Sequence, residues 1–322
     1  MSIFGELRKL YKDGENISTY LKENPDIAVN NGLSASDAIA ISYDLQAGSY
    51  VHGFYSNYKM SQDFNRYVIQ QLESANVLTE TASEKDRVII CDFGTGEATN
   101  FSSLLNLLPE EARNKIDAYG MDISLSRIDV ARNFSQIEAE SIVPEFFLGD
   151  LRQLPLIDNA IDIAFTMHAF EPNGGAEKEI LSELIRVTKH YIVLAEPIYE
   201  TATPEQRKRM EHYGYIQQLR TELYANNQVD VISESLVPEE LCSNTLNRTT
   251  IFIAKKKGHI ANDNEKNSHI FACPISRTKV LRRNGFWLSN EGSCYPEING
   301  IPVLRSKYAL PYYQQSKFSD KY

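Results

Sequence analysis

From Arg87 to Ala254 the chain alternates short apolar runs with amphipathic stretches, and this alternation restricts the fold more than any other feature. Arg87–Phe93 (RVIICDF) is a continuous apolar run suited to a buried parallel strand. Thr99–Leu108 then reads as a helix stopped by Pro109, and Ile116–Asp122 as a second strand. Ser124 is placed to N-cap a helix that ends near Glu140. Ile142–Leu148 and Ile161–Met167 read as the third and fourth strands. A helix over Gly174–Lys189 turns Ile180, Leu181, Leu184, Ile185 and Val187 toward the sheet, and His190–Ala195 is a fifth strand. Pro204 suits the first turn of a long helix reaching about Tyr224. Strands near Val229–Ser233 and Thr249–Ala254 complete a set of seven. Strands separated by helices require a mostly parallel sheet covered on both faces, an α/β architecture.

The flanks differ from this middle. Residues 1–80 read as a helical, tyrosine-rich extension in which Tyr43, Tyr50, Tyr55 and Tyr58 surround His52. Asp63–Ala75 has helical spacing through Phe64, Tyr67, Val68 and Leu72. The α/β unit is expected over 81–257, a polar linker over 258–268, and a small β-rich module over 269–322. Charge supports the last boundary. The chain has 33 Lys+Arg against 43 Asp+Glu, a net of −10. Residues 259–322 alone carry nine basic and five acidic side chains, so the remainder carries −14. An acidic chain is a poor match to a phosphate backbone, because such binding draws on counterion release by basic residues. No apolar run approaches the ~18 residues that span a bilayer, and the N-terminus lacks an apolar signal-peptide core. Cys91, Cys242, Cys273 and Cys294 are few and scattered, which suits reduced thiols in a cytoplasmic protein.

The first strand ends in Asp92, followed by Gly94, Thr95, Gly96 and Glu97 and then a helix. A glycine turn there lets a ligand approach the backbone, and the helix N-terminus offers free N–H groups. A dinucleotide fingerprint needs a third glycine where Thr99 stands. Asp92 and Glu97 would also repel a pyrophosphate, whereas they favour a cationic sulfonium. VIICDFGTGEATNF resembles the first motif of class I S-adenosylmethionine-dependent methyltransferases, and the resemblance runs over about residues 40–256. It implies a Rossmann-like fold and S-adenosylmethionine as cofactor. Asp122 in YGMDIS matches the residue that holds the ribose hydroxyls, with Ile123 beside it. Asp150 in FFLGDLRQLPL matches the residue that contacts the adenine amino group, with Leu151 beside it. The run through Leu154, Pro155 and Asn159–Ile163 resembles the ubiquinone/menaquinone-type subgroup. The remaining cofactor candidates are Phe93, Met167 and the lid residues Tyr43 and Tyr50; in similar enzymes a Tyr-Asp pair, here Tyr43-Asp44, closes over the cofactor. Glu97 stands where many family members have another glycine.

Methyl transfer chiefly requires a positioned acceptor, plus a base where the acceptor is a hydroxyl or protonated amine. The loop after the fourth strand offers His168 as that base and Glu171 to orient it. A structural His168, bonded to a loop carbonyl, is an equal alternative. Glu196 is a second carboxylate candidate, or a solvated strand end. Arg207, Lys208, Arg209, His212 and Arg220 on the Pro204 helix are read as a solvated face or as a holder for an anionic acceptor.

The C-terminal segment resembles the small zinc-ribbon-like domain that activates several tRNA, rRNA and translation-factor methyltransferases, through Cys273-Pro274, Tyr295-Pro296 and Asn299–Leu304. Ser276 stands where a second cysteine of a CPxC pair would be, and His269 lacks paired spacing, so no metal is expected. The module is expected to have its own core around Trp287, Tyr295 and Ile301, and to dock on the catalytic domain, on a second copy or on another protein. The main expectation is methylation of O or N on a small or medium-sized acceptor such as a sugar or biosynthetic intermediate, without nucleic acid or membrane. The alternatives are an enzyme acting on RNA or a translation protein, and a non-catalytic cofactor-binding protein.

Overall fold

The computed structural model describes residues 2–83, 87–140, 142–258 and 270–312. Seven helices precede the first strand: α1 (Ile3–Lys12), α2 (Ile17–Glu23), α3 (Pro25–Asn30), α4 (Ala35–Leu45), α5 (Ser49–Ser56), α6 (Tyr58–Ser74) and α7 (Val77–Ser83). A seven-stranded sheet follows, made of β1 (Val88–Phe93), β2 (Ile116–Asp122), β3 (Glu145–Leu148), β4 (Ile161–Met167), β5 (Thr188–Pro197), β6 (Val229–Leu236) and β7 (Thr249–Lys256). Its spatial order is β3-β2-β1-β4-β5-β7-β6, and β7 runs antiparallel to both neighbours. The helices between strands are α8 (Thr99–Leu107), α9 (Glu110–Arg113), α10 (Leu125–Glu138), α11 (Glu177–Val187), α12 (Pro204–Tyr213) and α13 (Leu219–Ala225). The expected α/β class is therefore the observed one, and no helix of the described residues is long and apolar enough to cross a membrane.

Strand alternation divides the core into two layers. Val88 and Ile90 of β1, with Tyr191, Val193 and Ala195 of β5, pack against α6 and α8. Cys91 and Phe93, with Ile192 and Leu194, face the opposite layer with Ile180, Leu184 and Leu223. The chain order reverses between β1 and β4, which pair in parallel at Asp92 and Phe165. A crevice opens at such a reversal, outside the carboxyl ends of the strands.

Three expectations change. The third strand starts at Glu145, since residues 142–144 are irregular. The helix expected from Pro204 to Tyr224 is two helices. Gly214 takes a left-handed conformation (φ 61°) that ends α12, and the Tyr215 N–H closes the cap onto the Met210 carbonyl. The stretch to α13 is held by the Ile216 N–H on the Glu171 carbonyl and the Gln217 N–H on the Glu177 carboxylate.

The third change concerns the C-terminal segment. It forms a small antiparallel sheet of β8 (Val280–Arg283), β9 (Phe286–Ser289), β10 (Ser293–Ile298), β11 (Ile301–Pro302) and β12 (Leu310–Pro311). A separate core around Trp287, Tyr295 and Ile301 is not found. Trp287, Tyr295 and Leu304 are buried in the main layer with Phe147, Leu154 and Leu156, while Ile301 and Val303 pack with Ile128, Phe146 and Leu148. Too small to bury its apolar faces alone, the segment lies on the α/β unit, and Leu148 bridges Val303 in parallel. Cys273 and Cys294 are buried free thiols; the Ser276 N–H points at Cys273 Sγ, and the Tyr295 hydroxyl lies 3.1 Å from it. His269 and residues 259–268 of the expected linker lie outside the described residues.

Candidate functional site

The glycine turn after β1 is built from backbone that only small residues adopt. Gly94 has φ +82°, and a Cβ there would stand 2.3 Å from the Ala169 Cβ of the loop after β4. Gly96 has φ +58°, and its Cβ would overlap the Arg127 guanidinium. Asp122, at the end of β2, fixes the turn: Oδ2 accepts the Gly96 N–H (2.8 Å) and Oδ1 the Ser124 N–H (2.9 Å). Ser124 in turn caps α10 through the Arg127 N–H.

Asp92 is buried at the base of the turn, and its Oδ1 has no hydrogen-bond partner. Burial, with the neighbouring Asp122 charge, raises its pKa to about 7. A buried, unpartnered carboxylate oxygen is costly, and it lies on the wall of a cavity of about 620 Å3.

Tyr43, Tyr50, Gly94, Thr95, Gly96, Asp122, Ile123, Asp150, Leu151, Met167, His168 and Glu171 line the same cavity. Phe93 does not line it. Alternation along β1 turns its ring into the core, opposite to Asp92, so only its backbone is near the turn. His52, Tyr55, Tyr58 and Glu196 also stay off the wall. Phe54 meets the rings of Tyr55, Tyr58 and Phe134 edge to face, and these are packing contacts.

The N-terminal helices reach the turn through acidic side chains that sequence spacing does not relate. Glu97 is buried and accepts two N–H groups at the start of α5, from Gly48 (2.8 Å) and Val51 (2.7 Å). Asp44 Oδ1 accepts from the Ser124 hydroxyl (2.6 Å) and the Ser126 N–H (3.0 Å). Between these anchors the buried Arg127 guanidinium lies over the rings of Tyr43 (4.8 Å) and Tyr50 (4.1 Å), and 3.9 Å from Glu97. Arg127 had one available signal: it stands three residues past the cap Ser124, one turn back toward the corner.

His168 closes β4 in a left-handed conformation (φ 56°). Its Nδ1 is hydrogen-bonded to Glu171 Oε1, and its Nε2 lies 2.8 Å from Thr249 Oγ1. Asn247 Nδ2 donates to the same Glu171 oxygen (2.7 Å). Burial pushes the imidazole pKa down, but the Glu171 charge and hydrogen bond outweigh it, and the net shift is upward. Glu196 is not a solvated strand end. It is fully buried and accepts the Ala169 (3.0 Å) and Phe170 (3.3 Å) N–H groups, which fixes the loop carrying His168. Burial raises its pKa to about 7.

The five basic residues beyond β5 separate. Arg207 donates to the Tyr199 and Glu200 carbonyls, Arg220 pairs with Glu234, and Lys208 and His212 are off the cavity. Arg209 alone lines it. Its guanidinium lies beside the rings of Tyr213 (5.2 Å) and Tyr215 (5.3 Å), donates to Asn247 Oδ1 (2.9 Å), and has no ion-pair partner among the described residues.

Residues 91–193 match the methyltransferase domain family. The chain carries an S-adenosylmethionine-dependent methyltransferase domain. Similar solved structures include magnesium protoporphyrin IX methyltransferase from Synechocystis PCC 6803 with bound S-adenosylhomocysteine, at 17% identity over 67% of this chain and 99% of that one, with a TM-score of 0.49. Another is a putative sarcosine dimethylglycine methyltransferase from Galdieria sulphuraria, at 12% identity over 61% of this chain and 86% of that one, with a TM-score of 0.46. Among curated proteins, none matches the chain in sequence.

The residues present fit this cofactor. The cavity volume lies within the ~300–1,000 Å3 usual for small-molecule sites. The unpartnered Asp92 oxygen suits a cation and repels a pyrophosphate.

One prediction concerns the lid. Glu97→Ala removes the acceptor of two N–H groups, and hydrogen bonds to a charged group are worth ~1.5–3 kcal/mol each. Denaturant unfolding should show a loss of about 3–6 kcal/mol. Amide exchange at Gly48–Val51 should quicken, with Glu97→Gln intermediate; an unchanged exchange rate would show that Glu97 does not hold the lid.

Proposed function

We propose that the chain methylates a hydroxyl or amine of a small or medium-sized polar acceptor, such as a sugar or biosynthetic intermediate, that carries an anionic group. The observation that carries this reading is the wall facing the glycine turn. It presents Asn16, Ser18, Gln46, Asn57, Ser61 and Asn244, with Arg209 and Lys22 as cations that have no ion-pair partner among the described residues, Lys22 being turned onto the Tyr213 carbonyl. Amides and hydroxyls suit a polyol, and an ordered guanidinium beside two aromatic rings suits a carboxylate or phosphate.

The cofactor supplies a methyl carbon already activated by its sulfonium. Asp92, Asp122 and Asp150 would hold it by charge and hydrogen bonding, with Ile123, Leu151 and Met167 as apolar walls. Tyr43 and Tyr50 line the pocket and would cover the bound cofactor. A hydroxyl or amine acceptor would have a proton to lose on methylation, and the site must take it up. The His168–Glu171 pair on the wall would serve as the base. Below its raised pKa the imidazolium donates at both ring nitrogens, to Glu171 and to Thr249 Oγ1. Above it, one nitrogen is free to accept.

An RNA or translation-protein acceptor was favoured by the positive charge of the C-terminal segment. Much of that charge is committed within the chain: Arg277 pairs with Glu183, Arg282 with Glu297, and Arg305 and Lys307 with Asp37. This supports the small acceptor.

Calorimetry with S-adenosylmethionine tests the cofactor reading. The wild type should bind, and Asp122→Ala should lose about 1.5–3 kcal/mol; a wild type that does not bind overturns the reading. The pH dependence follows from Asp92. In the free protein it holds its proton up to about pH 7. A cationic ligand favours the carboxylate, so binding expels that proton and the dissociation constant falls as pH rises toward 7, then levels. Titrations in buffers of different ionisation enthalpy at pH 6 should show proton release, and Asp92→Asn should abolish it. For the acceptor, labelled methyl transfer to hydroxy acids and sugar phosphates should exceed transfer to their neutral counterparts. Arg209→Met should remove that preference by tenfold or more; an equal preference in both proteins refutes the anionic acceptor.

A further inference from the structure

Helix α4 is the part of the lid that carries Tyr43 and Gln46 over the cavity, and its two ends are held by different parts of the chain. Its last turn is tied to α10 through Asp44. Its first turn is tied to the C-terminal segment. Asp37 is buried there, and its two oxygens have separate roles. Oδ2 completes the helix cap with the Ser34 N–H (3.1 Å) and hydroxyl (2.9 Å). Oδ1 accepts from Arg305 Nη2 (3.1 Å) and Lys307 Nζ (2.7 Å).

Arg305 is itself 4% exposed, and the same Nη2 lies 3.7 Å from Oδ2 of Asp150, which lines the cavity. Its backbone is set by the sheet edge: Val303 bridges Leu148, and the Leu304 N–H donates to the Leu148 carbonyl (2.9 Å). Leu148 is two residues before Asp150. One guanidinium therefore stands between the lid helix and the pocket wall, held at a fixed height by the strand that delivers that wall.

A buried ion pair of this kind adds little net stability, because desolvation offsets the attraction. What it supplies is register, since Asp37 has no comparable place to go if the helix shifts. We propose that the C-terminal segment completes the cofactor site within the same chain, and that Arg305 is the positioning residue that holds α4 closed against the Asp150 wall. Without it the start of the lid helix keeps its contact with the part-exposed Lys307, while the rest of the helix keeps the Asp44 anchor, the Tyr43–Arg127 contact and its packing against α1 and α2. The affinity part of this inference rests on reading the cavity as the S-adenosylmethionine site; the closure part does not.

The test uses the full-length chain with Arg305→Met, which keeps most of the side-chain length and removes the charge. Calorimetry should give a dissociation constant for S-adenosylmethionine raised at least tenfold. Hydrogen exchange of the unliganded protein should quicken at Asp37–Leu45, with β4 and β5 unchanged as the control for folding. Asp37→Asn approaches the same contact from the lid, keeps a capping side chain, and should reproduce both effects. The effect of the double variant should fall short of the product of the two singles, because both remove the shared Arg305–Asp37 pair. Wild-type affinity and exchange in a folded Arg305→Met overturn the proposal, as do single effects that multiply in the double. If the wild type itself fails to bind, the cofactor reading fails, and exchange at α4 still decides the closure.

Discussion

The carboxylate of Asp122 is the contact on which the rest of the site depends. Two neighbouring strands end in turns that must lie side by side, and each turn exposes backbone N–H groups with no secondary-structure partner. Asp122 takes one from each, Gly96 and Ser124. Buried, it would be costly as a lone charge. Arg127, on the helix that Ser124 caps, lowers that cost from one turn away, and Arg127 then requires the faces of Tyr43 and Tyr50 to cover it. Strand end, helix cap, cation and lid form one sequence of compensations that starts from a single side chain.

The parts of this arrangement legible in the sequence are those whose cause is local. Ile116–Asp122 and Ile161–Met167 are strands at the bounds that their apolar runs suggest, and Ser124 caps its helix as its position implies. A left-handed glycine is also a local signal, and Gly214 should have divided the helix after Pro204. Phe93 shows a different limit. A motif match names consecutive residues, but in a strand consecutive side chains face opposite layers, so the side chains of Asp92 and Phe93 do not face the same way.

What was not legible depends on partners far apart in the chain. Glu97 reads as an intruder in a glycine-rich turn until its ligands are seen to be the Gly48 and Val51 N–H groups, 49 and 46 residues earlier. A glycine at that position would leave α5 with no acceptor at its start. Glu196 reads as a solvated strand end because nothing nearby shows that the loop after β4 folds back onto it. In both cases a carboxylate serves backbone donors of another segment, so its role has no spacing in the sequence.

Charge asymmetry was the clearest sign of a boundary near residue 259, and the structure gives that sign a second meaning. Opposite net charge on two parts of a chain favours their encounter. Here the contacts that join them are of that kind: Arg277 to Glu183, and Arg305 and Lys307 to Asp37. Each acidic partner belongs to the negative body, and Asp37 belongs to the lid. The apolar surface between Leu304, Tyr295, Leu154 and Leu156 supplies most of the adhesion, since area removed from water outweighs partly exposed ion pairs. The buried Arg305–Asp37 pair acts differently. It selects one position of the lid helix among those the apolar contact would tolerate, so a segment that reads as a separate module sets the geometry of a pocket whose motifs all lie before it in the chain.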